Sequence, residues 1–196
     1  MLSKIITKAE KERKQKRMQI FFAVFMVGIL AASTIGYSLS SSSTSSIKYN
    51  GKKFYQTNQG WQGKDLNFFT AYLPQDVEFI PVQGILNPNI FLNKLYVITD
   101  PEQGFSNEWV EWSRAVPMSN PNPSCLPEDE DKEACAELPL KDCNDADPQT
   151  SILIFKNTNE SYISVNGNCV EIAGNSLDLL KAVDKAIYVM YGVMDP

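Results

Sequence analysis

The longest feature in the hydropathy pattern is an uncharged run, Ile20–Leu39, reading IFFAVFMVGILAASTIGYSL. At about 1.5 Å per residue it would span about 30 Å as a helix, the hydrocarbon thickness of a bilayer, so the pattern predicts a transmembrane segment over 20–39. Hydroxyls at Ser33, Thr34 and Ser38 can bond back to the helix backbone and fit that reading. Residues 40–46, SSSSTSS, form a Ser-rich linker. From Ile47 the period shortens to that of strands. Ile47–Tyr49, Asn50-Gly51 and Lys52–Thr57 make a hairpin pattern, because Asn-Gly accepts the positive φ values of a type I′ turn. Leu66–Leu73 reads as a third strand stopped by Pro74, and Leu95–Thr99 as a fourth closed by Asp100-Pro101. Ser106 stands where it would cap a helix over Asn107–Val116, with Trp109, Trp112 and Val116 on one face.

Pro117–Thr150 breaks this texture. It contains Pro117, Pro121, Pro123, Pro127, Pro139 and Pro148 and the acidic run Glu128–Asp131, so regular structure is not expected there. Three more strands follow, Ser151–Lys156, Tyr162–Val165 and Cys169–Ala173, with an Asn166-Gly167 turn. Asn175 then caps a closing helix, Ser176–Tyr191, whose apolar stripe is Leu177, Leu180, Val183, Ile187 and Met190/Tyr191, and Gly192 ends it. Two runs of strands, each followed by a helix, predict an α+β fold. The expected architecture is an N-terminal transmembrane helix followed by one mostly antiparallel-sheet extracytoplasmic domain with two helices.

Charge gives this layout a direction. The chain is 196 residues long with a formal charge of −5. Residues 1–18 hold seven basic and two acidic side chains, +5, whereas the remainder holds 11 basic and 21 acidic, −10. Basic residues flanking a span are retained in the cytoplasm. The division is therefore a basic cytoplasmic segment over 1–19, a signal anchor over 20–39, the linker over 40–46 and an outside domain over 47–196. The competing reading is a cleaved signal peptide, for which Ala31-Ala32-Ser33 supplies small residues. Gly28, Ala32 and Gly36 recur every four residues, a spacing that permits close packing against another membrane helix.

Cys125, Cys135, Cys143 and Cys169 all follow the span, at spacings of 10, 8 and 26 with no C-x-x-C. Outside the membrane they are expected to form disulfides. Three pairings are open to four cysteines. The expected one is Cys125–Cys135 closing the acidic loop and Cys143–Cys169 pinning its end to a strand, with a four-thiolate zinc site as the rival.

The chain has no histidine, which removes Ser-His-Asp and Cys-His nucleophile activation and imidazole switches. Asp142, Asp145 and Asp147 are candidate calcium ligands on the loop, without the spacing of an EF-hand. Glu108 and Glu111, one helical turn apart beside Trp109 and Trp112, are a candidate carboxylate pair for glycoside cleavage. Asn159-Glu160-Ser161 is a glycosylation sequon. No cofactor is expected, and the acidic outside domain argues against nucleic acid.

The segment NGNCVEIAG at 166–174, with the closing helix after it, resembles small single-pass archaeal membrane proteins of uncharacterised function, mainly over residues 150–194. The resemblance implies an anchored surface domain and carries no activity. The expected function is thus a membrane-anchored extracytoplasmic binding or structural module, with the lipid bilayer and a protein of the membrane or envelope as partners. Two alternatives stand beside it: an anchored carboxylate hydrolase acting on envelope glycans or peptides, and an accessory subunit of a membrane complex.

Overall fold

A computed structural model describes residue 13 and residues 16–30, 45–101 and 107–196. The chain divides into two units, Met1–Thr44 and Ser45–Pro196. In the first, residues 16–30 are helical (α1) and exposed on every side, including Phe21, Phe22, Val24, Phe25 and Val27. Phe21 and Phe25, one turn apart, stack with ring centroids 6.5 Å apart. At about 1.5 Å per residue the described part of α1 is about 22 Å long. Among the described residues no helix is long and apolar enough to cross a membrane. Residues 31–39 of the expected span lie outside the described residues.

The second unit is α+β, with two sheets. The first is the antiparallel meander β1 (Ser46–Tyr49), β2 (Lys52–Thr57), β3 (Gly60–Gly63) and β4 (Phe69–Thr70). Its first turn is as expected, with Asn50 at φ 44° and Gly51 at 79°. The expected strand Leu66–Leu73 shrinks to two residues, and Pro74 opens a 3₁₀ turn instead.

The second sheet has the order β5-β9-β10-β8-β6-β7. Its strands are β5 (Val82–Gln83), β6 (Lys94–Ile98), β7 (Pro121–Ser124), β8 (Thr150–Asn157), β9 (Tyr162–Asn166) and β10 (Cys169–Gly174). Here the antiparallel expectation holds for β9 on β10 alone, while β10, β8, β6 and β7 run parallel to one another. The physical reason is the connection: β6 leads through α2 (Asn107–Ala115) to β7, and a helical crossover returns the chain in the same direction. The burial of β8 fits, because Ser151–Phe155 are buried without alternation, as in a parallel strand covered on both faces.

One face of this sheet packs on α2 and α3 (Asp178–Met190) around Leu95, Val97, Leu153, Phe155, Val170 and Ile172. Trp112, fully buried, meets Phe91 and Phe155 edge-on at 5.1 and 6.2 Å. Asn175 caps α3 as expected, its Oδ1 accepting the N–H groups of Leu177 and Asp178. Leu177 itself is 73% exposed and leaves the expected stripe, because it precedes the first helical residue. The first sheet closes on α3 through Phe54, whose ring meets Tyr188 edge-on at 5.8 Å. Its hairpin also holds the end of the chain: Asn50 Nδ2 donates to the Val193 carbonyl at 3.3 Å and Lys52 Nζ to that of Gly192 at 2.9 Å.

The opposite face of the second sheet presents Tyr96, Ile98, Ile152, Ile154 and Cys169, and Leu126, Cys143 and Ala146 cover it. The Pro-rich segment thus supplies a layer. It is also more regular than expected, since β7, reading Pro-Asn-Pro-Ser, is a true strand. Two prolines two residues apart share one edge of the strand, and an outermost strand has an edge that needs no donors.

Candidate functional site

Both disulfides of the expected pairing are formed. Cys125 and Cys135 have Cα atoms 5.9 Å apart, and Cys143 and Cys169 5.3 Å. No cysteine is free. Cys143–Cys169 ties the covering loop to the start of β10, and beside it opens a recess of about 590 Å³. That volume lies within the range of small-molecule sites, about 300–1,000 Å³.

The recess is built from four separate segments. Asn89 comes from the 3₁₀ helix Pro88–Leu92, which Asn87 caps by accepting the Asn89 N–H at 3.0 Å. Asn93 precedes β6, and its Nδ2 donates to the Pro148 carbonyl at 3.3 Å. Asp147 and Pro148 end the disulfide-tied loop. Asn166, Gly167 and Asn168 form the β9–β10 turn, where Gly167 takes φ 58°. Asn168 Nδ2 donates to the Asp147 carbonyl at 2.7 Å, joining turn to loop. Asn89 and Asn166 are exposed at the rim of the recess. Among the described residues no cationic side chain lines it, and Asp147 is the one carboxylate.

The candidate calcium ligands do not converge. Asp142 Oδ1 accepts the Asn144 N–H at 2.7 Å, and Asp147 Oδ1 that of Gln149 at 2.7 Å. Asp145 bonds to Lys141 Nζ at 2.8 Å and to the Asp142 N–H at 3.0 Å. The hydrogen bond from Lys141 holds the Asp145 carboxyl below the usual range, with the backbone bond next in effect. These are turn-forming bonds, and among the described residues no group of three His, Cys, Asp or Glu side chains is placed to hold a metal ion.

Glu108 and Glu111 also part company. Glu108 lines a small crevice of about 60 Å³ with Thr99, Asp100, Asn157 and Ser176. Glu111 Oε1 accepts the Ala71 N–H at 2.6 Å. Asn159 is exposed on the loop between β8 and β9. Gly28 lies on α1, with open space where a Cβ would point, whereas Ala32 and Gly36 lie outside the described residues. Sequence reasoning missed the recess. Its asparagines sit in two stretches far apart along the chain, 89–93 and 166–168, and only the Asn-Gly-Asn turn announced itself locally. Compared with family models, with curated proteins and with solved structures, the chain matches none.

Proposed function

We propose that the chain is a single-pass membrane protein that presents its α+β unit outside the cell as a binding module, the amide-lined recess being its ligand-facing surface. The observation that carries this reading is the pair of disulfides, which belong to an oxidising compartment. The exposed apolar residues of α1, next to a basic segment, support an anchor with the N-terminus inside. Amides that both donate and accept suit a neutral, polyhydroxylated ligand such as a glycan, and the lack of cations disfavours anions. A hydrolase is less well supported, because the paired candidates Glu108 and Glu111 serve different places, Glu108 lining the small crevice and Glu111 accepting the Ala71 N–H.

The test uses the full chain. On intact cells, external protease is expected to remove the C-terminal unit, and the protein is expected to stay in the membrane through alkaline carbonate washing. A protease-resistant unit, or release by carbonate, would sink the anchor reading. In mild detergent, an array of neutral glycans is expected to yield saturable binding that weakens about tenfold in the Asn89→Ala/Asn166→Ala double variant, on the order of two lost hydrogen bonds. Absence of any bound glycan would dismiss the ligand class.

A further inference from the structure

Asp184 lies in the middle of α3 with no exposed surface. Its Oδ2 accepts the Tyr72 N–H at 2.7 Å, while Oδ1 is buried with no donor. The neighbouring N–H, of Ala71, is accepted by Glu111 of α2. Two carboxyl groups from two helices therefore grip consecutive amides of the chain just after β4. The Glu111 carboxyl also acts directly on Asp184, through its charge and through a hydrogen bond. Were both groups ionised, like charges would meet in a water-poor site and Asp184 Oδ1 would be left unsatisfied. One proton between them removes both defects.

We propose that Asp184 and Glu111 form a single proton-holding site that fastens residues 71–72 between α2 and α3 and makes this junction responsive to ambient pH. Asp184 carries the proton. Burial first, then the charge of Glu111 and the hydrogen bond to it, push its carboxyl well above the usual range, against the opposing effect of the Tyr72 and Ala71 N–H groups. Among the described residues, none around the pair supplies a counter-charge. Thr70 and Tyr188 contribute hydroxyls 2.5 Å apart, Tyr188 donating on to the Tyr72 carbonyl at 2.7 Å. Tyr188 is neutral, since burial above all raises it. Asp76, from the 3₁₀ turn after β4, adds negative charge near Tyr188. On α3, Lys181 Nζ is 2.8 Å from Asp178, and Lys185 Nζ points to the Asp195 carbonyl at 3.5 Å. On α2, Glu108 faces the small crevice and Arg114 is exposed.

The sign follows. Below the ordinary carboxylate value, folded and unfolded chains both hold the proton and the junction is at full strength. As pH rises towards the higher folded value, the unfolded chain releases its proton first, and stability is lost. Asp184→Asn keeps an oxygen for the Tyr72 N–H and offers an amide to Glu111, so it should fold and lose this dependence.

The experiment compares the two full chains in mild detergent across pH, following unfolding by tryptophan fluorescence, together with infrared spectroscopy. Relative to Asp184→Asn, the folding constant of the unaltered chain is expected to fall by up to about tenfold per pH unit above the ordinary carboxylate range. An infrared carbonyl band of a protonated acid is expected to persist above the ordinary carboxylate range, and it should vanish in the variant. Parallel stability curves, or no acid band in the unaltered chain, would overturn the proposal. Should Asp184→Asn fail to fold, Glu111→Gln serves instead. Its amide can accept from Ala71 and donate to Asp184 while the burial remains, so the acid band should fade at lower pH than in the unaltered chain, and unchanged fading would overturn the proposal equally.

Discussion

Gly60 shows how a single residue records a tertiary constraint. Its φ is +121°, and a Cβ there would lie 2.4 Å from the Thr70 carbonyl oxygen on the adjacent strand. Gly60→Ala is therefore expected to cost about 2–4 kcal/mol, from backbone strain and from the clash with main chain, measured as a lowered urea midpoint. A loss below about 0.5 kcal/mol would mean that β3 and β4 separate easily. The glycine is plain in the sequence, but nothing local says that β4 passes against it. Asp184 teaches the same lesson with opposite chemistry. It is a buried acid because Glu111 and the 71–72 amides, far away along the chain, arrive beside it.

At the scale of elements, the segment after Pro117 does the work a helix does in other parallel sheets. Its side chains Leu126, Cys143 and Ala146 close the second face of the sheet, and the disulfides hold in place a segment whose prolines forbid a helix. The closed rings have sequence separations of 10 and 26. Loop-closure entropy then assigns about 2.7 kcal/mol to Cys125–Cys135 and about 3.5 kcal/mol to Cys143–Cys169. Paired Cys→Ala variants should lose stability in that order in calorimetry. Loss of Cys143–Cys169 should in addition promote binding of a hydrophobic dye, as Ile98, Ile152 and Ile154 become uncovered. Equal losses without dye binding would show that the loop stays seated by packing alone. Both hairpin turns were legible from Asn-Gly, whereas three cysteine pairings stood open and the fold chose the expected one. The parallel direction of β6, β7, β8 and β10 was not legible, because an apolar run such as Ser151–Lys156 fits a buried strand of either direction.

For the whole molecule, the two kinds of carboxyl group set opposing responses to pH. Asp145 and Asp178, each held below the usual range first by a lysine hydrogen bond, contribute stability above the ordinary carboxylate value that is lost as pH falls through their lower folded values. Both pairs are partly exposed, so each contributes little. Asp184, fully buried, acts in the other direction and with greater weight. The thermal midpoint of the full chain is therefore expected to peak towards the acid end of the usual window of about pH 5–8. A plateau extending to the alkaline end, measured by scanning calorimetry, would contradict that balance.

The sequence by itself determined what depends on neighbours along the chain. An uncharged run beside a basic one, an Asn-Gly turn, an asparagine before the closing helix and an even number of cysteines each express their physics within a few residues or by count alone. The tertiary structure decided what depends on distant segments meeting. It brought four asparagines from two distant segments to one recess, laid a proline-rich strand at a sheet edge, and buried Asp184 beside Glu111. Burial and proximity are properties of the folded whole, and they turn ordinary polar residues into a candidate ligand surface and a proton-holding pair.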